Sequence, residues 1–230
     1  MLTAIIVAGG SSRRMGFDKT FALLGSQPIV AHSVAAFDAA ACVRDIIVVG
    51  REDRLEALRE VLPAAAFPKL RSVVAGGAHR QDSVAEGLNA VEPTSHFIAV
   101  HDAARPLITP SAIERVYAAA REHGAASLAA PVVDTLKRAD ARHLITGSID
   151  REGLYAMQTP QIFARELLLE GYRKVAANNL PITDEVSAVE ALGHNVVVVP
   201  NNDFNFKITF PSDLELALLV LAQRQGAGDR

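Results

Sequence analysis

The residues that could do chemistry begin where the first apolar run of the chain ends. Leu2 to Ala8 opens into Gly9-Gly10-Ser11-Ser12-Arg13-Arg14-Met15-Gly16 and closes on Asp18-Lys19. Paired glycines let a backbone turn sharply and approach a ligand with no Cβ in the way. Two arginines and a lysine in the same loop add fixed positive charge beside exposed amides, a combination that suits a polyphosphate. The competing reading is a strand followed by a solvated basic loop. Spacing excludes two better-known phosphate loops. Gly16 is followed by Phe17-Asp18-Lys19-Thr20 rather than directly by a lysine and a hydroxyl residue, so this is no Walker A loop. No third glycine stands where the dinucleotide fingerprint requires one.

Further along, His101-Asp102-Ala103-Ala104-Arg105-Pro106 follows the apolar run Phe97–Val100. A carboxylate at a strand end beside a phosphate loop suits magnesium, which prefers oxygen ligands and keeps several waters. An ion pair between Asp102 and Arg105 is the alternative. A second glycine turn, Gly76-Gly77, leads through Ala78-His79-Arg80-Gln81-Asp82 to Ser83. Backbone groups at such a turn can read the edge of a base. Ser83 either joins that reading or is an N-terminal capping hydroxyl, a role open to Asp82 as well. Thr159-Pro160-Gln161, Thr183-Asp184-Glu185 and Asn205-Phe206-Lys207-Ile208-Thr209 complete the polar set. Thr183-Asp184-Glu185 before an apolar run is by itself a helix N-cap signature. The histidines show no pair at helical metal-ligand spacing and read as structural or surface residues, His32 and His101 among them.

These segments need a scaffold that brings them together. The chain has 230 residues, half of them hydrophobic, no tryptophan and a net charge of −3. This composition suits one α/β domain, taken as 1–224, with a frayed tail at 225–230. The charge argues against a general nucleic-acid surface. The lone Cys42 excludes an internal disulfide and reads as a small core residue. No signal-like segment precedes the first strand and no apolar run reaches membrane length, so a cytoplasmic location and no membrane partner are expected.

Strand-like runs fall at Leu2–Ala8, Asp45–Val49, Leu70–Val74, Phe97–Val100, Ala126–Val133 and Asn195–Val199. Helix-like runs fall at Pro28–Ala40, with proline in the first turn, and at Arg54–Val61, Asp82–Val91, Ser111–His123, Arg165–Ala177 and Ser212–Arg224. Such alternation predicts a mostly parallel sheet with helices on both faces. Ligands of such sheets bind outside the carboxyl ends of the strands, where Gly9-Gly10, Gly76-Gly77 and His101-Asp102 all fall. Val132 to Gln161 breaks the pattern. Thr135–Arg138 and Leu144–Arg151 read as two short strands around a polar turn, a projecting hairpin whose edges and apolar side chains need a partner. A β-meander over the same subunit is the other arrangement.

The order GGSSRRMG…DK, GG…R.DSV, HDAARP, DTLKR, DREGLY, TPQIF, TDEVSAVE and FKIT…DL resembles the 2-C-methyl-D-erythritol 4-phosphate cytidylyltransferases of the non-mevalonate isoprenoid pathway. The resemblance runs from Ala4 to about Leu219. HDAARP and TPQ followed by TDE are its most discriminating pieces. The opening loop is also similar to molybdenum-cofactor guanylyltransferases, which lack the HDAARP, DTLKR and TPQ set. Ribitol 5-phosphate cytidylyltransferases share much of the pattern, and a non-catalytic nucleotide-binding protein would keep the glycine turns. Departures from the family pattern are Phe17-Asp18 before Lys19 in place of a proline, Ala78 where an acidic residue is common, and Phe206 in place of isoleucine.

The resemblance implies a Rossmann-like enzyme that joins CTP and 2-C-methyl-D-erythritol 4-phosphate and releases pyrophosphate. A phosphate monoester, with its second pKa near about 6, is already a nucleophile at neutral pH. Catalysis then rests on positioning and on neutralising charge at the α-phosphate. Arg14, Lys19 and Lys207 are the implied catalytic cations, and Asp102 would hold Mg2+ or the ribose. Ala8, Gly9, Gly10, Gly77 and Ser83 would hold CTP. Arg105 would support the acceptor side, Thr183 with Lys207 would face the acceptor phosphate, and Thr159 is a further substrate-binding residue. Thr135 and Arg151 match family residues on an extended arm, approximately 132–161, that reaches the neighbour's acceptor site, so a homodimer is expected.

Overall fold

A computed structural model describes residues 1–10 and 15–228. Arg14 therefore lies outside the described residues, as does the end of the expected tail. In chain order the elements are β1 (Leu2–Val7), β2 (Leu23–Leu24), β3 (Gln27–Pro28), α1 (Ile29–Ala39), β4 (Val43–Gly50), α2 (Leu55–Val61), β5 (Leu70–Ala75) and α3 (Arg80–Asn89). There follow β6 (Phe97–Asp102), α4 (Pro110–His123), β7 (Ala125–Pro131), β8 (Leu136–Ala139), β9 (Ile145–Ile149) and β10 (Tyr155–Ala164). The chain continues with α5 (Arg165–Asn178), α6 (Glu185–Glu190), β11 (Val197–Pro200) and α7 (Pro211–Gly228). Among the described residues, seven strands form one sheet in the order β11-β7-β10-β6-β1-β4-β5. All neighbours are parallel except β10, which runs antiparallel to both β6 and β7.

The period-two alternation of the strands explains the layers. Along β1, Leu2, Ala4 and Ile6 face a cluster with Val30, Val34 and Phe37 of α1 and Ile113 and Val116 of α4. Ile5 faces the other way, toward Val84 and Leu88 of α3 and Leu168 of α5. Both faces are thus covered, as a continuous apolar strand requires. Each fully buried Leu or Ile contributes about 1.5–3 kcal/mol, so the strand positions are not interchangeable with polar residues. Helix α3 lies very close to the sheet. A Cβ at Gly87 would stand 2.6 Å from Ile5 Cγ2, so only glycine admits that approach. A third cluster joins α7 to β2 through Leu24, Ile29, Ile208, Ala217 and Val220.

Several expectations need correction. The hairpin is present, with β8 pairing antiparallel to β9. The arm is nevertheless shorter than 132–161, because Tyr155 to Gln161 begins β10 and lies in the central sheet. Gln158, Thr159 and Gln161 are buried there with their polar groups hydrogen-bonded, which hides a sheet strand behind a polar sequence. Pro28 is the extended N-cap residue of α1 rather than part of its first turn. Helix α3 starts at Arg80, capped by His79, so Ser83 sits inside the helix. Its hydroxyl donates back to the His79 carbonyl at 3.1 Å, while Asp82 accepts the His79 amide at 2.9 Å. Ser83 is therefore not the cap.

Candidate active site

Three backbone bonds knit the strand ends into one floor. Ala8 N–H donates to Val49 O at 2.7 Å, Ala103 N–H to Val7 O at 3.0 Å and Gly76 N–H to Gly50 O at 2.7 Å. The turns that follow enclose a cavity of about 450 Å³. Ala8, Gly9, Gly10, Lys19, Gly77, Ser83, Asp102 and Lys207 all line it, so most of the expected nucleotide contacts converge at the carboxyl edge of the sheet. Gly77 is required for its shape, since a Cβ there would meet Asp82 Cβ at 2.3 Å. Lys19 is tied to the far end of the chain by donating to Ile208 O at 2.7 Å. Asp18 accepts Thr20 N–H at 3.1 Å and caps the short turn Lys19–Phe21.

Asp102 is the electrostatic centre. Its Oδ2 accepts from Lys207 Nζ at 2.9 Å and its Oδ1 from Arg80 Nε at 3.2 Å. Arg105 Nε stands 3.7 Å from Oδ2, so the ion-pair reading of Asp102 is realised with two nearer cations than the one expected. Burial alone would raise its pKa, but the charges of Arg80, Lys207 and Arg105 outweigh it and hold the carboxyl far below the usual range. Arg80 is in turn held by Glu185, a fully buried carboxylate, through Nη1–Oε1 at 2.7 Å and Nη2–Oε2 at 2.9 Å. Burial would lower the Arg80 pKa, and the charges of Glu185 and Asp102 reverse that and raise it.

Beneath this centre, His101 is fully buried and burial pushes its pKa down to about 3, so the ring is neutral. Its Nε2 lies 3.3 Å from Arg105 O, an acceptor, and therefore carries the proton. Nδ1 must then accept from the Thr159 hydroxyl at 3.0 Å, and Thr159 Oγ1 accepts the Asp102 amide at 3.0 Å. Thr159 thus supports Asp102 from below rather than lining the cavity.

The other acceptor-side residues are dispersed. Arg105 is largely buried and donates to Asn205 O at 2.9 Å. Thr183 is exposed just before α6, its hydroxyl 3.4 Å from Ser187 Oγ. Thr135 and Arg151 are exposed on the arm, with the Arg151 guanidinium donating to Val133 O. Neither lines the cavity of this chain. Sequence reading missed the work of Arg80, Glu185 and Gln161. Gln161 is 1% exposed, and its Oε1 accepts Glu185 N–H at 3.1 Å while its Nε2 donates to Asp184 at 2.9 Å. The one available signal was the TPQ and TDE pairing, which carries no information about a contact with Arg80. Among the described residues no group of three His, Cys, Asp or Glu could cage a metal. Asp102 lines the cavity, and both of its oxygens already accept from cations, Oδ2 from Lys207 and Oδ1 from Arg80.

Comparison with known proteins gives a consistent result. A family model described as 2-C-methyl-D-erythritol 4-phosphate cytidylyltransferase matches residues 2–223. A protein of that name from Salinibacter ruber is 42% identical over 230 residues, covering 100% of this chain and 96% of that protein. Another from Alkaliphilus oremlandii is 38% identical over 226 residues, with 97% and 96% covered. A crystal structure of the Thermus thermophilus protein of that name superposes with a TM-score of 0.80 at 30% identity, covering 95% of this chain and 98% of that one.

Proposed function

This chain belongs to the 2-C-methyl-D-erythritol 4-phosphate cytidylyltransferase family, and from that premise we propose how its residues divide the work of nucleotidyl transfer. The substrates are CTP and 2-C-methyl-D-erythritol 4-phosphate, and the product is the diphosphocytidyl polyol with release of pyrophosphate. The observation that carries the residue-level reading is the convergence of Gly9-Gly10, Gly77, Lys19 and Lys207 on one cavity. Gly9, Gly10 and Gly77 bring backbone amides to the nucleotide, and Ser83 stands behind them. Lys19, with Arg14, faces the triphosphate, and Lys207 faces the reacting phosphate.

The acceptor's phosphate oxygen forms a bond to the α-phosphorus of CTP. The bond from that phosphorus to the bridging oxygen breaks, and pyrophosphate leaves with the electron pair. No proton has to move, because the acceptor is already ionised. Asp102 is unsuited to be a base, since its carboxylate is strongly stabilised by Arg80, Lys207 and Arg105. Fixed positive charge must therefore lower the barrier. Magnesium would be held by Asp102 together with the substrate phosphates, and when bound it supplies further charge neutralisation on the triphosphate.

The arm supports a shared site. Val133, just before the hairpin, is 73% exposed and Ile145, on β9, is 69% exposed, and a two-stranded hairpin is marginal by itself. Pairing two chains through the arm would cover these residues and carry Thr135 and Arg151 to the acceptor site of the other chain. Two-fold symmetry follows from such an exchange. Among the described residues no helix is long and apolar enough to cross a membrane. A cytoplasmic setting fits a chain whose one cysteine is half-buried and unpaired.

Pyrophosphate release measured across CTP, GTP, UTP and ATP, each with the erythritol and ribitol phosphates, tests the reaction. CTP with the erythritol phosphate is expected to be fastest. Turnover confined to GTP and a molybdopterin, or CTP binding without turnover, would overturn it. For the shared site, Arg151→Ala and Lys19→Ala chains are mixed. Partial recovery of activity is expected, because one site in each mixed dimer has both wild-type residues. No recovery despite demonstrated subunit exchange would sink the arrangement.

A further inference from the structure

Arg80 sits between two carboxylates of unequal standing. Its two terminal nitrogens are engaged by the oxygens of Glu185, at 2.7 and 2.9 Å, and only Nε reaches Asp102, at 3.2 Å. A guanidinium facing a single carboxylate prefers the two-pronged arrangement. Were Glu185 uncharged, Arg80 would have Asp102 as its remaining anionic partner. As built, Asp102 keeps Oδ2 for Lys207, at 2.9 Å. Glu185 itself cannot move to follow a substrate. It is fully buried, its backbone amide is held by Gln161 at 3.1 Å, and Tyr172 donates to Oε1 at 3.0 Å.

We infer that Glu185 is a positioning residue of the transfer reaction: it occupies the terminal nitrogens of Arg80 so that Asp102 remains free to orient Lys207. This rests on the role assigned to Lys207 above. Glu185 touches neither nucleotide nor acceptor and acts only through the chain Arg80, Asp102, Lys207. Besides Arg80 on α3, its partners are Gln161 on β10 and Tyr172 on α5, so the placement of α6 is what aims a lysine located after β11.

The test starts with Glu185→Gln, which keeps size and removes charge. Its kcat is expected to fall at least about tenfold, with the KM for CTP within about twofold of wild type. Tyr172→Phe removes one hydrogen bond to the same carboxylate but no charge. It should lower the melting temperature while leaving kcat near wild type, which separates positioning from mere support. Glu185→Asp should restore part of the lost kcat. In the double variant Glu185→Gln with Arg80→Met, the loss should be no greater than for Arg80→Met alone, because both act on one chain of contacts. Additive losses would overturn the inference, as would a Glu185→Gln protein with unchanged kcat.

A crystal structure of Glu185→Gln decides the geometry without activity. Arg80 is expected to engage both oxygens of Asp102, with Lys207 beyond hydrogen-bond reach. Retention of the wild-type contacts would refute the inference even if Arg80→Met failed to fold. A wild-type chain inactive on CTP would instead count against the proposed function, and the variant structure would still decide whether Glu185 holds Arg80 away from Asp102.

Discussion

The sheet carries an aspartate among cations at each of its ends, and the two have different work. At the amino ends of β1, β4 and β5, Asp45 lies between Arg71, at 2.6 Å, and Arg44, beside a cavity of about 580 Å³. At the carboxyl ends Asp102 lies among Arg80, Lys207 and Arg105, beside the smaller cavity of about 450 Å³. Size therefore does not mark the site. The described lining of the larger cavity sets Arg44 and Arg71 against Asp45 and Glu92 and is balanced. That of the smaller one brings Lys19, Arg80 and Lys207 together around Asp102, with Arg80 also bound by the buried Glu185, beside two glycine turns. Clustered cations attract a polyanion, and backbone amides at the turns give it a place to bind. The arginines of the amino end instead serve a buried aspartate and leave nothing over.

The largest test of that difference is metal removal. Activity is expected to vanish in EDTA and to return with magnesium, and Asp102→Asn should raise the magnesium concentration required. Neither treatment of the amino end, Asp45→Asn nor Arg71→Ala, should change that requirement. Full activity in EDTA would break the magnesium part of the comparison.

Next in size is loss of one cation at each end. Lys207→Ala is expected to lower kcat by about 10²–10³-fold, the cost of losing a preorganised donor to developing charge. Arg71→Ala should leave kcat within about twofold. Equal losses in steady-state pyrophosphate assays would erase the distinction, provided thermal melts show both proteins folded.

A smaller effect is expected at Gly10. Among the described residues a Cβ there would meet no atom within 4 Å, so Gly10→Ala should keep the wild-type melting temperature. A ligand lying against the turn would feel the added methyl, and the KM for CTP should rise about tenfold, or about 1.4 kcal/mol. An unchanged KM would move the nucleotide away from this turn.

The smallest concerns Asp45 and acid. Burial would raise its pKa, but hydrogen bonds from Arg71 and Arg44 outweigh it and the folded value is lowered. A lowered carboxyl pKa adds stability that is complete above the unfolded value of about 3.9 and is lost as pH falls through the folded value. Asp45→Asn should thus flatten the acid limb of the stability curve below about pH 4 while leaving kcat at neutral pH unchanged. Urea unfolding across that range, with turnover measured beside it, checks both halves.

Much of the scaffold was legible because it is written in local patterns. Ile5-Ile6-Val7 announces a strand covered on both faces, and the turn glycines mark where strands hand over to a ligand. Thr183-Asp184-Glu185 announced the start of α6, where Asp184 accepts Ser187 N–H at 3.0 Å. Strand β10 was not legible as a sheet strand. Its Gln158, Thr159 and Gln161 look like surface residues until their hydrogen-bond partners Asn201, Asn205, His101 and Asp184 are in place. Of the two readings of Ser83 the capping one fails, because α3 starts three residues earlier, at Arg80, with His79 as its N-cap residue.

What the sequence by itself determined is the set of local commitments: strand periodicity, the paired-glycine turns, the helix caps, the hairpin and the motif order that carries the family. Only the tertiary structure decided which charges meet. Lys207 reaches Asp102 across 105 positions of chain, and Arg80 reaches Glu185 across another 105. Local sequence cannot specify such pairs, because an ionic side chain is satisfied by any opposite charge within reach. Reach is set by the docking of helices onto both faces of a sheet, where burial of Ile5 and Leu88 on one side and Ile6 and Phe37 on the other fixes every strand end in place.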